Sequence, residues 1–373
     1  MGSGDSWSFG GAVGGSGREG TPMRSIHRIS VAAAALLAAV ALAGSCGGAA
    51  DRQKQREGPV VIRAGHFPNI THAQGVLGHA TGSFQKALGD RARVDWKIFN
   101  AGPSAIEALF AGELDLSYIG PNPAINAYVK SGGTAIRIVC GACSGGAALV
   151  VRKDSPIARP RDFEGRSLAT PQLGNTQDVA ARAWLLENGM DWLERGGKVR
   201  VQPLANPDQL TLFLKKELDG AWTVEPWVTR LILEGGGKVF LEEASRWPEG
   251  RFVTTHLIVS TKFLEEHPDL VRTWIEEHVR LTDWIGANND EALRAVNQEI
   301  KRETGKALPD EILEAAFARL ELTDDPIRAS LMKSAADAYA LGFLGREEPR
   351  LSGIYDLSIL NSVRQAAGKP PIR

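Results

Sequence analysis

The sequence lacks the features that mark several large classes of proteins. Its 373 residues include only three cysteines, which excludes a small scaffold built on disulfides. The 43 Lys and Arg are balanced by 44 Asp and Glu, and no long basic run occurs, so no nucleic-acid partner is expected. With 43% hydrophobic residues, the composition is typical of a globular protein, and the length favours two domains.

Sequence motifs of catalysis are equally scarce. Beyond residue 58 the chain has no nucleophile elbow, P-loop, zinc-protease or dinucleotide-binding motif, so we expect neither an enzyme nor a cofactor. His72 and His79 are seven residues apart, a helical rise of about 10.5 Å, which is too long for one shared ion, so no metal is expected. Cys140 and Cys143 are interpreted as either a local disulfide or two free thiols.

The first 58 residues look like an export segment rather than part of a fold. Residues 1–22 are rich in glycine, and a short basic region after Met23 precedes an uncharged 16-residue run at 29–44. That run is shorter than the roughly 18 residues of a membrane-spanning helix and is typical of a secretory signal. Its end resembles a bacterial lipobox, so we predict lipidation at Cys46, with an ordinary cleaved signal as the alternative. Residues 51–58 form a polar tether.

From residue 59 the pattern predicts an α/β fold with two lobes. Short β-branched runs alternate with amphipathic helices in two series, and residues 109–123 match 213–227 at a constant offset of 104. We expect each lobe to be a mostly parallel sheet flanked by helices, with two crossovers between the lobes. The predicted boundaries are 59–152 for lobe 1, with 256–345 returning to it, 153–255 for lobe 2, and 346–373 for a C-terminal segment.

Six loops between strands and helices carry polar residues where a ligand would bind. In open α/β sheets the ligand crevice lies beyond the carboxyl ends of the strands, at the positive ends of helices. For any one of these residues, capping a helix is the alternative to binding a ligand. The loops contain Asn69, Thr71 and His72; Ser104; Asn122; Asn175, Thr176 and Gln177; Asn206; and Glu225.

Five segments in order resemble one family. Residues 65–74, 100–128, 149–157, 171–178 and 224–232 are similar to the substrate-binding proteins of ABC transporters for sulfonates, nitrate and taurine. The resemblance implies a monomeric, exported, two-lobed periplasmic-binding-protein-like receptor that closes on a small anionic or zwitterionic solute and delivers it to a membrane permease. It implies ligand-binding roles for Asn69, Thr71, His72, Ser104, Gly120, Asn122, Asn175, Thr176, Gln177 and Glu225.

Two alternatives remain open at the level of sequence. Glu225 either contacts an amine-bearing ligand or pairs with a Lys or Arg away from the ligand. No Arg occurs in the six loops, so backbone N–H groups, hydroxyls and a partial charge on His72 or His256 would hold an anion. The same fold also resembles thiamine-pyrimidine synthases and binding proteins, although the cysteine-rich motif of those enzymes is absent here.

Overall fold

The computed structural model describes residues 58–372, and the predicted signal, lipidation site and tether lie outside them, apart from Gly58. Within this described range, eleven strands form two sheets. They are β1 (Val60–His66), β2 (Ala92–Ile98), β3 (Leu116–Ile119), β4 (Ile136–Gly145), β5 (Ala147–Arg152), β6 (Ser167–Thr170), β7 (Arg200–Pro203), β8 (Gly220–Val224), β9 (Gly237–Glu242), β10 (Val253–Ser260) and β11 (Leu320–Leu322). The first sheet has the order β11-β4-β10-β3-β1-β2 and the second β7-β6-β8-β5-β9.

Thirteen α-helices occur in the described part of the chain. They are α1 (Ala73–Thr81), α2 (Ser83–Leu88), α3 (Gly102–Phe110), α4 (Pro121–Lys130), α5 (Thr176–Glu187), α6 (Asn206–Leu214), α7 (Trp227–Leu233), α8 (Thr261–Glu266), α9 (Pro268–Ala287), α10 (Asn289–Thr304), α11 (Asp310–Phe317), α12 (Arg328–Ala340) and α13 (Ser358–Ala366). Within residues 58–372, no helix combines the length and the apolar character that crossing a bilayer requires.

Both sheets are mixed, whereas mostly parallel sheets were expected. The strands that follow the two crossovers, β5 and β10, are antiparallel to their neighbours. The pairs β1–β2, β1–β3, β6–β7 and β6–β8 are parallel. However, β10 is antiparallel to β3 and β4, and β5 is antiparallel to β8 and β9. The reason is topological: a strand that follows directly from the other sheet enters its new sheet from the opposite end.

The two crossovers run side by side. The first passes through Gly145 and Gly146, both with positive φ, and the second leads from β9 to β10. The Gly145 N–H donates to the Phe252 carbonyl at 3.3 Å, and Thr254 Oγ1 donates to the Gly145 carbonyl at 2.5 Å. Strand β5, which the predicted boundary at residue 152 assigned to lobe 1, belongs to the second sheet. The other lobe boundaries remain predictions.

Apolar packing on the first sheet joins segments that are distant in sequence. Phe84 of α2 stacks on Trp274 of α9, with ring centroids 4.0 Å apart, and Trp96 of β2 packs against both. Trp274 is fully buried, so a long helix from the C-terminal half is anchored on the face of the N-terminal sheet. Glu303 of α10 contacts His66 at the end of β1, where the candidate site begins.

Candidate functional site

A small cavity lies between the two sheets, where strand ends meet helix starts. Its volume of about 30 Å³ is about that of one water molecule. Residues from both sheets line it: Phe67, Asn69, Thr71, His72, Asn100, Gly120, Pro171, Asn175, Thr176, Gln177, Asn206, Val224, Thr254 and Thr255. None of these described lining residues is a Lys, Arg, Asp or Glu, so the cavity presents neutral hydrogen-bonding groups.

His72 provides a neutral imidazole to the cavity. Burial lowers the pKa of His72 well below its usual 6.5, so the ring is uncharged at neutral pH. The backbone N–H of Phe67 donates to His72 Nδ1 at 3.3 Å, which leaves the ring proton on Nε2 as a hydrogen-bond donor. Phe67 also stacks on the ring, with centroids 4.4 Å apart, and this contact fixes the plane of the imidazole.

On the opposite side, the N-terminus of α5 faces the cavity. Asn175 occupies the N-cap position but its side chain makes no capping hydrogen bond, so its amide is free to face the cavity. Asp178, one turn into the helix, accepts from Thr170 Oγ1 at 2.7 Å and from the Gly174 N–H at 2.9 Å, and it pairs with Arg182. This buried brace fixes the loop that leads into α5. The helix therefore presents its free first-turn N–H groups, the positive end of its dipole.

Two buried hydroxyls at the cavity have no partner. Thr176 Oγ1 and Thr255 Oγ1 are each inaccessible to solvent and make no hydrogen bond with another residue. Both residues line the cavity, Thr176 from α5 and Thr255 from β10. Because buried polar groups are almost always paired, these two hydroxyls indicate a place for a polar guest.

The two sides approach closely around the cavity. Trp227 Nε1 donates to Asn69 Oδ1 at 3.2 Å, and Ser104 Oγ donates to Gln172 Oε1 at 3.2 Å. A Cβ atom on Gly120 would lie 2.5 Å from Thr176 Oγ1, so only glycine permits this approach. The arrangement is a closed one, since each of these contacts joins a residue that follows a strand of the first sheet to a residue that follows a strand of the second.

A groove of about 210 Å³ adjoins the cavity and shares Phe67, Asn69, Asn100 and Asn206 with it. Its outer wall includes Lys306 and the residues that follow α10. Arg230 also lines the groove, but its guanidinium is paired with Glu234 at 2.8 and 3.0 Å and lies over the Trp227 ring. The groove therefore shares a wall with the cavity.

The architecture and the sequence lead to the same group of proteins. A profile of the NMT1-like family matches residues 55–300. The chain belongs to the NMT1-like family. It is 26% identical over 214 residues to the taurine-binding periplasmic protein of Escherichia coli (strain K12), an alignment that covers 57% of this chain and 63% of that protein. The chain thus spans less than two thirds of the length of this curated relative.

Solved structures confirm the fold of this NMT1-like protein. The alkanesulfonate-binding protein SsuA from Xanthomonas axonopodis pv. citri, bound to MOPS, superposes with a TM-score of 0.67 at 18% identity, over 80% of this chain and 99% of that one. The periplasmic nitrate-binding protein NrtA from Synechocystis PCC 6803 has a TM-score of 0.65 at 13% identity, over 83% and 89%. The predicted periplasmic-binding-protein-like fold and the family resemblance are both confirmed.

Seven of the ten predicted ligand-binding residues line the cavity of this NMT1-like protein. They are Asn69, Thr71, His72, Gly120, Asn175, Thr176 and Gln177. Ser104, Asn122 and Glu225 do not line it: Ser104 bonds to Gln172, and Asn122 Nδ2 donates to the Ser334 carbonyl at 3.3 Å. Ser104 and Asn122 lie inside the first turns of α3 and α4, so neither is an N-cap.

Glu225 is buried against protein partners. Its carboxylate accepts from the Thr229 N–H and hydroxyl, both at 3.0 Å, and lies 2.7 Å from Arg319 Nε. Of the two alternatives for this residue, the structure shows the pairing with an Arg. Burial raises the pKa of Glu225 to about 7, because the desolvation of the charge outweighs the contacts with Thr229 and Arg319.

His256 is not available as a source of partial charge. Its Nε2 donates to the Pro326 carbonyl at 2.9 Å, and burial lowers its pKa to about 4. Cys140 and Cys143 are free thiols, both buried in β4, so of the two interpretations of this pair the structure shows free thiols. Burial raises the pKa of both thiols well above the usual range, which makes them poor nucleophiles.

The sequence analysis did not select four cavity residues that carry polar groups. Asn100 lies in the loop after β2, Asn206 is the first residue of α6, and Thr254 and Thr255 lie on β10. The sequence analysis named Asn206 as a loop residue but not as one of the ten ligand-binding residues. In the structure its Oδ1 accepts from Thr223 Oγ1 at 3.1 Å. The two threonines lie in an apolar run, and no local pattern distinguishes a strand that returns between the sheets.

Proposed function

We propose that this protein is the extracytoplasmic substrate-binding component of an ABC importer. It binds a small anionic or zwitterionic solute, such as taurine, another aliphatic sulfonate or nitrate, between two lobes that close on the solute. Its activity is binding, without catalysis, and the permease of the importer is its partner. The relatives' names and the shared fold support this class of function.

The neutral, donor-rich cavity carries the proposal. An oxyanion group requires several hydrogen-bond donors, and the cavity supplies the α5 N-terminus, the His72 Nε2–H and two unpaired hydroxyls. Because no charged side chain lines the cavity, a monovalent or zwitterionic solute fits the site better than a multivalent anion.

A ligand screen by thermal shift tests the proposal on the full chain. Taurine, alkanesulfonates, nitrate, bicarbonate and pyrimidines are compared, since a ligand at 100 times its dissociation constant stabilises the folded state by about 2.7 kcal/mol. We expect a shift with one of the sulfonates or small oxyanions. A shift with pyrimidines alone would show instead that the protein belongs functionally with the thiamine-pyrimidine group.

Variants assign the observed binding to the cavity. Thr176→Val keeps the shape of the side chain and removes the unpaired hydroxyl, so it should lower the affinity for the anion by about 10- to 100-fold. Thr211→Val removes an exposed hydroxyl on α6 and should leave the affinity unchanged. Equal affinities of the two variants would place the ligand elsewhere.

We further propose that the protein is exported, anchored by a lipid on Cys46, and monomeric. This part rests on the sequence of residues 23–50, which lie outside the described residues. Mass spectrometry of the membrane-extracted protein should find a diacylglyceryl-modified Cys46 as the N-terminal residue. A soluble product that begins at another residue would indicate an ordinary signal peptide.

A further inference from the structure

A second group of polar side chains converges behind the cavity, and the proposed function does not use it. His66 ends β1, His79 lies in the last turn of α1, and Glu299 and Glu303 are one turn apart on α10. The side chains of His66, Glu299 and Glu303 are at most 4% exposed, and that of His79 is 19% exposed. Such a concentration of imidazole and carboxylate groups needs a physical reason.

The facing atoms of His66, His79 and Glu303 are spaced as three ligands of one tetrahedral ion would be, and Glu299 adjoins them through His79. His66 Nε2 lies 3.1 Å from His79 Nδ1 and 3.2 Å from Glu303 Oε1. His79 Nδ1 lies 3.0 Å from Glu299 Oε1 and 3.1 Å from Glu303 Oε1. Around a tetrahedral zinc ion with bonds of about 2.0 Å, neighbouring ligand atoms are about 3.3 Å apart.

With a neutral His66, protons cannot satisfy all of these contacts. His66 Nδ1 must donate to the Phe67 carbonyl at 3.2 Å, so in the neutral ring Nε2 carries a lone pair towards the cluster. Donation from the other ring nitrogen to a backbone carbonyl is also the usual arrangement of a metal-binding histidine. His79 Nε2 accepts from Arg302 Nη2 at 2.8 Å, which leaves one Nδ1 proton for three neighbouring acceptors.

The Glu303 carboxylate faces both imidazoles and has an unused oxygen atom. Its Oε1 lies 3.2 Å from His66 Nε2 and 3.1 Å from His79 Nδ1. Its Oε2 is buried and has no hydrogen-bond partner. A buried carboxylate with a free oxygen beside two imidazoles offers several electron-pair donors, and such a group favours the binding of a cation.

We propose that His66 Nε2, His79 Nδ1, Glu299 and Glu303 bind one divalent cation of the zinc class. Two imidazole nitrogens with two carboxylates suit zinc and exclude a site of the calcium or magnesium type, which uses oxygen ligands. The cation takes the lone pair of His79 Nδ1, and the ring proton moves to Nε2. Arg302, whose side chain is 59% exposed, then turns away from His79.

The cation would join α10 to the N-terminal sheet. The ligands come from β1, α1 and α10, and Trp96 packs on both imidazoles with centroids 5.2 and 5.0 Å away. His66 directly precedes Phe67, which lines the solute cavity, so the ion would also stabilise the loop that positions His72. Its role is structural, because the four protein ligands leave no open position for chemistry.

Titration of the chelator-treated full chain with Zn²⁺ alone tests the proposal. Calorimetry should find one ion per chain, the melting temperature should rise with Zn²⁺, and Co²⁺ should give the visible absorption of a four-coordinate site. Glu303→Gln and His79→Gln, each shown to be folded by circular dichroism, should bind at least about 100-fold more weakly. Glu291→Gln, an exposed change on the same helix, should bind as the parent does.

A fourth variant separates a cation site from a network of hydrogen bonds. Arg302 competes with the cation for His79, so Arg302→Gln should bind Zn²⁺ at least as tightly as the parent. No binding by the parent protein, or equal binding by the parent, Glu303→Gln and His79→Gln, would overturn the proposal. Solute binding is measured separately in the presence of chelator, so failure of the metal site leaves the proposed function to its own test.

Discussion

Asp178 and Glu225 are both buried carboxylates, but they have different roles because their surroundings differ. Asp178 has the Arg182 guanidinium and two hydrogen-bond donors around it, and it fixes the loop before α5. Glu225 has a comparable set of partners, with Arg319 Nε at 2.7 Å, but its burial beside the crossover raises its pKa; its N–H donates to the Gly146 carbonyl at 2.8 Å. The first residue supports the site directly, whereas the second makes the stability depend on pH.

Replacing Asp178 with Asn should destabilise the protein and loosen the cavity. Asp178→Asn leaves the buried Arg182 without its counter-charge, a loss that typically costs about 3 to 5 kcal/mol of unfolding free energy. Urea denaturation measures the change, and ligand titration of the folded fraction should show weaker binding. The control Asp208→Asn alters an exposed residue of α6 and should have little effect. A stability equal to that of the parent would contradict the bracing role.

The pKa of Glu225 predicts a loss of stability as the pH rises. Its folded-state pKa of about 7 exceeds the usual 4.5, so the folded protein holds a proton that the unfolded chain releases. The associated stability is complete below about pH 4.5 and is lost as the pH rises to about 7, by at most about 3 kcal/mol. Urea denaturation from pH 5 to pH 8 should show this slope, and Glu225→Gln should reduce it.

Glu242→Gln is the matched control for that measurement. Glu242 also contacts Arg319, at 2.6 Å, but its side chain is 49% exposed and its charge is a smaller cause of the raised pKa of Glu225 than burial, so Glu242→Gln should leave most of the pH dependence in place. A slope that is the same in the parent and in Glu225→Gln would mean that Arg319 keeps Glu225 ionised throughout this range.

At the scale of elements, the start of α5 packs against the loop that follows β3. Gly120 has a φ of −69°, which any residue adopts, so an added methyl group is unfavourable only because Thr176 Oγ1 would lie 2.5 Å away. This distance makes Gly120 a test of how closely the two sheets must approach when the protein binds its ligand.

Gly120→Ala should keep the protein folded but weaken ligand binding by about tenfold or more, because α5 can no longer close fully on the loop. Calorimetric titration measures the affinity. When Thr176 is already replaced by Ala, Gly120→Ala should cause a smaller loss of ligand affinity. A double-mutant cycle measures the coupling energy between the two positions. Gly286→Ala, at a helix position with open space, is the control. Equal costs of Gly120→Ala in both backgrounds would argue against the steric contact.

Local elements of this fold are predictable from the sequence, and their long-range partners are not. The repeat of strands and helices predicted the α/β class, because alternating apolar patterns record local burial. The antiparallel insertion of β10 between β3 and β4 has no local signal, so Thr254 and Thr255 were missed. His66 and Glu303 are likewise more than 200 residues apart in the chain, and helix packing alone brings them together.

At the scale of the whole molecule, few hydrogen bonds hold the closed arrangement around the cavity. The Trp227–Asn69 and Ser104–Gln172 hydrogen bonds are neutral and contribute only about 1 kcal/mol each. The adjacent crossovers, with two positive-φ glycines in the first, suit the hinge of the proposed closure. Because the cavity has only about the volume of one water molecule, the proposed binding requires open and closed forms that exchange.

A ligand that contacts both lobes should therefore shift the population to a more compact form. Small-angle X-ray scattering of the full chain should show a smaller radius of gyration with saturating ligand than without it. Trp227→Phe removes the indole N–H that reaches Asn69, so its ligand-free form should be more open than the parent, while its saturated form should match the parent. Trp284→Phe, at a half-buried position on α9, is the control. An unchanged radius at saturation would mean that the solute binds without closure, because a population shift requires the ligand to prefer one of the two states.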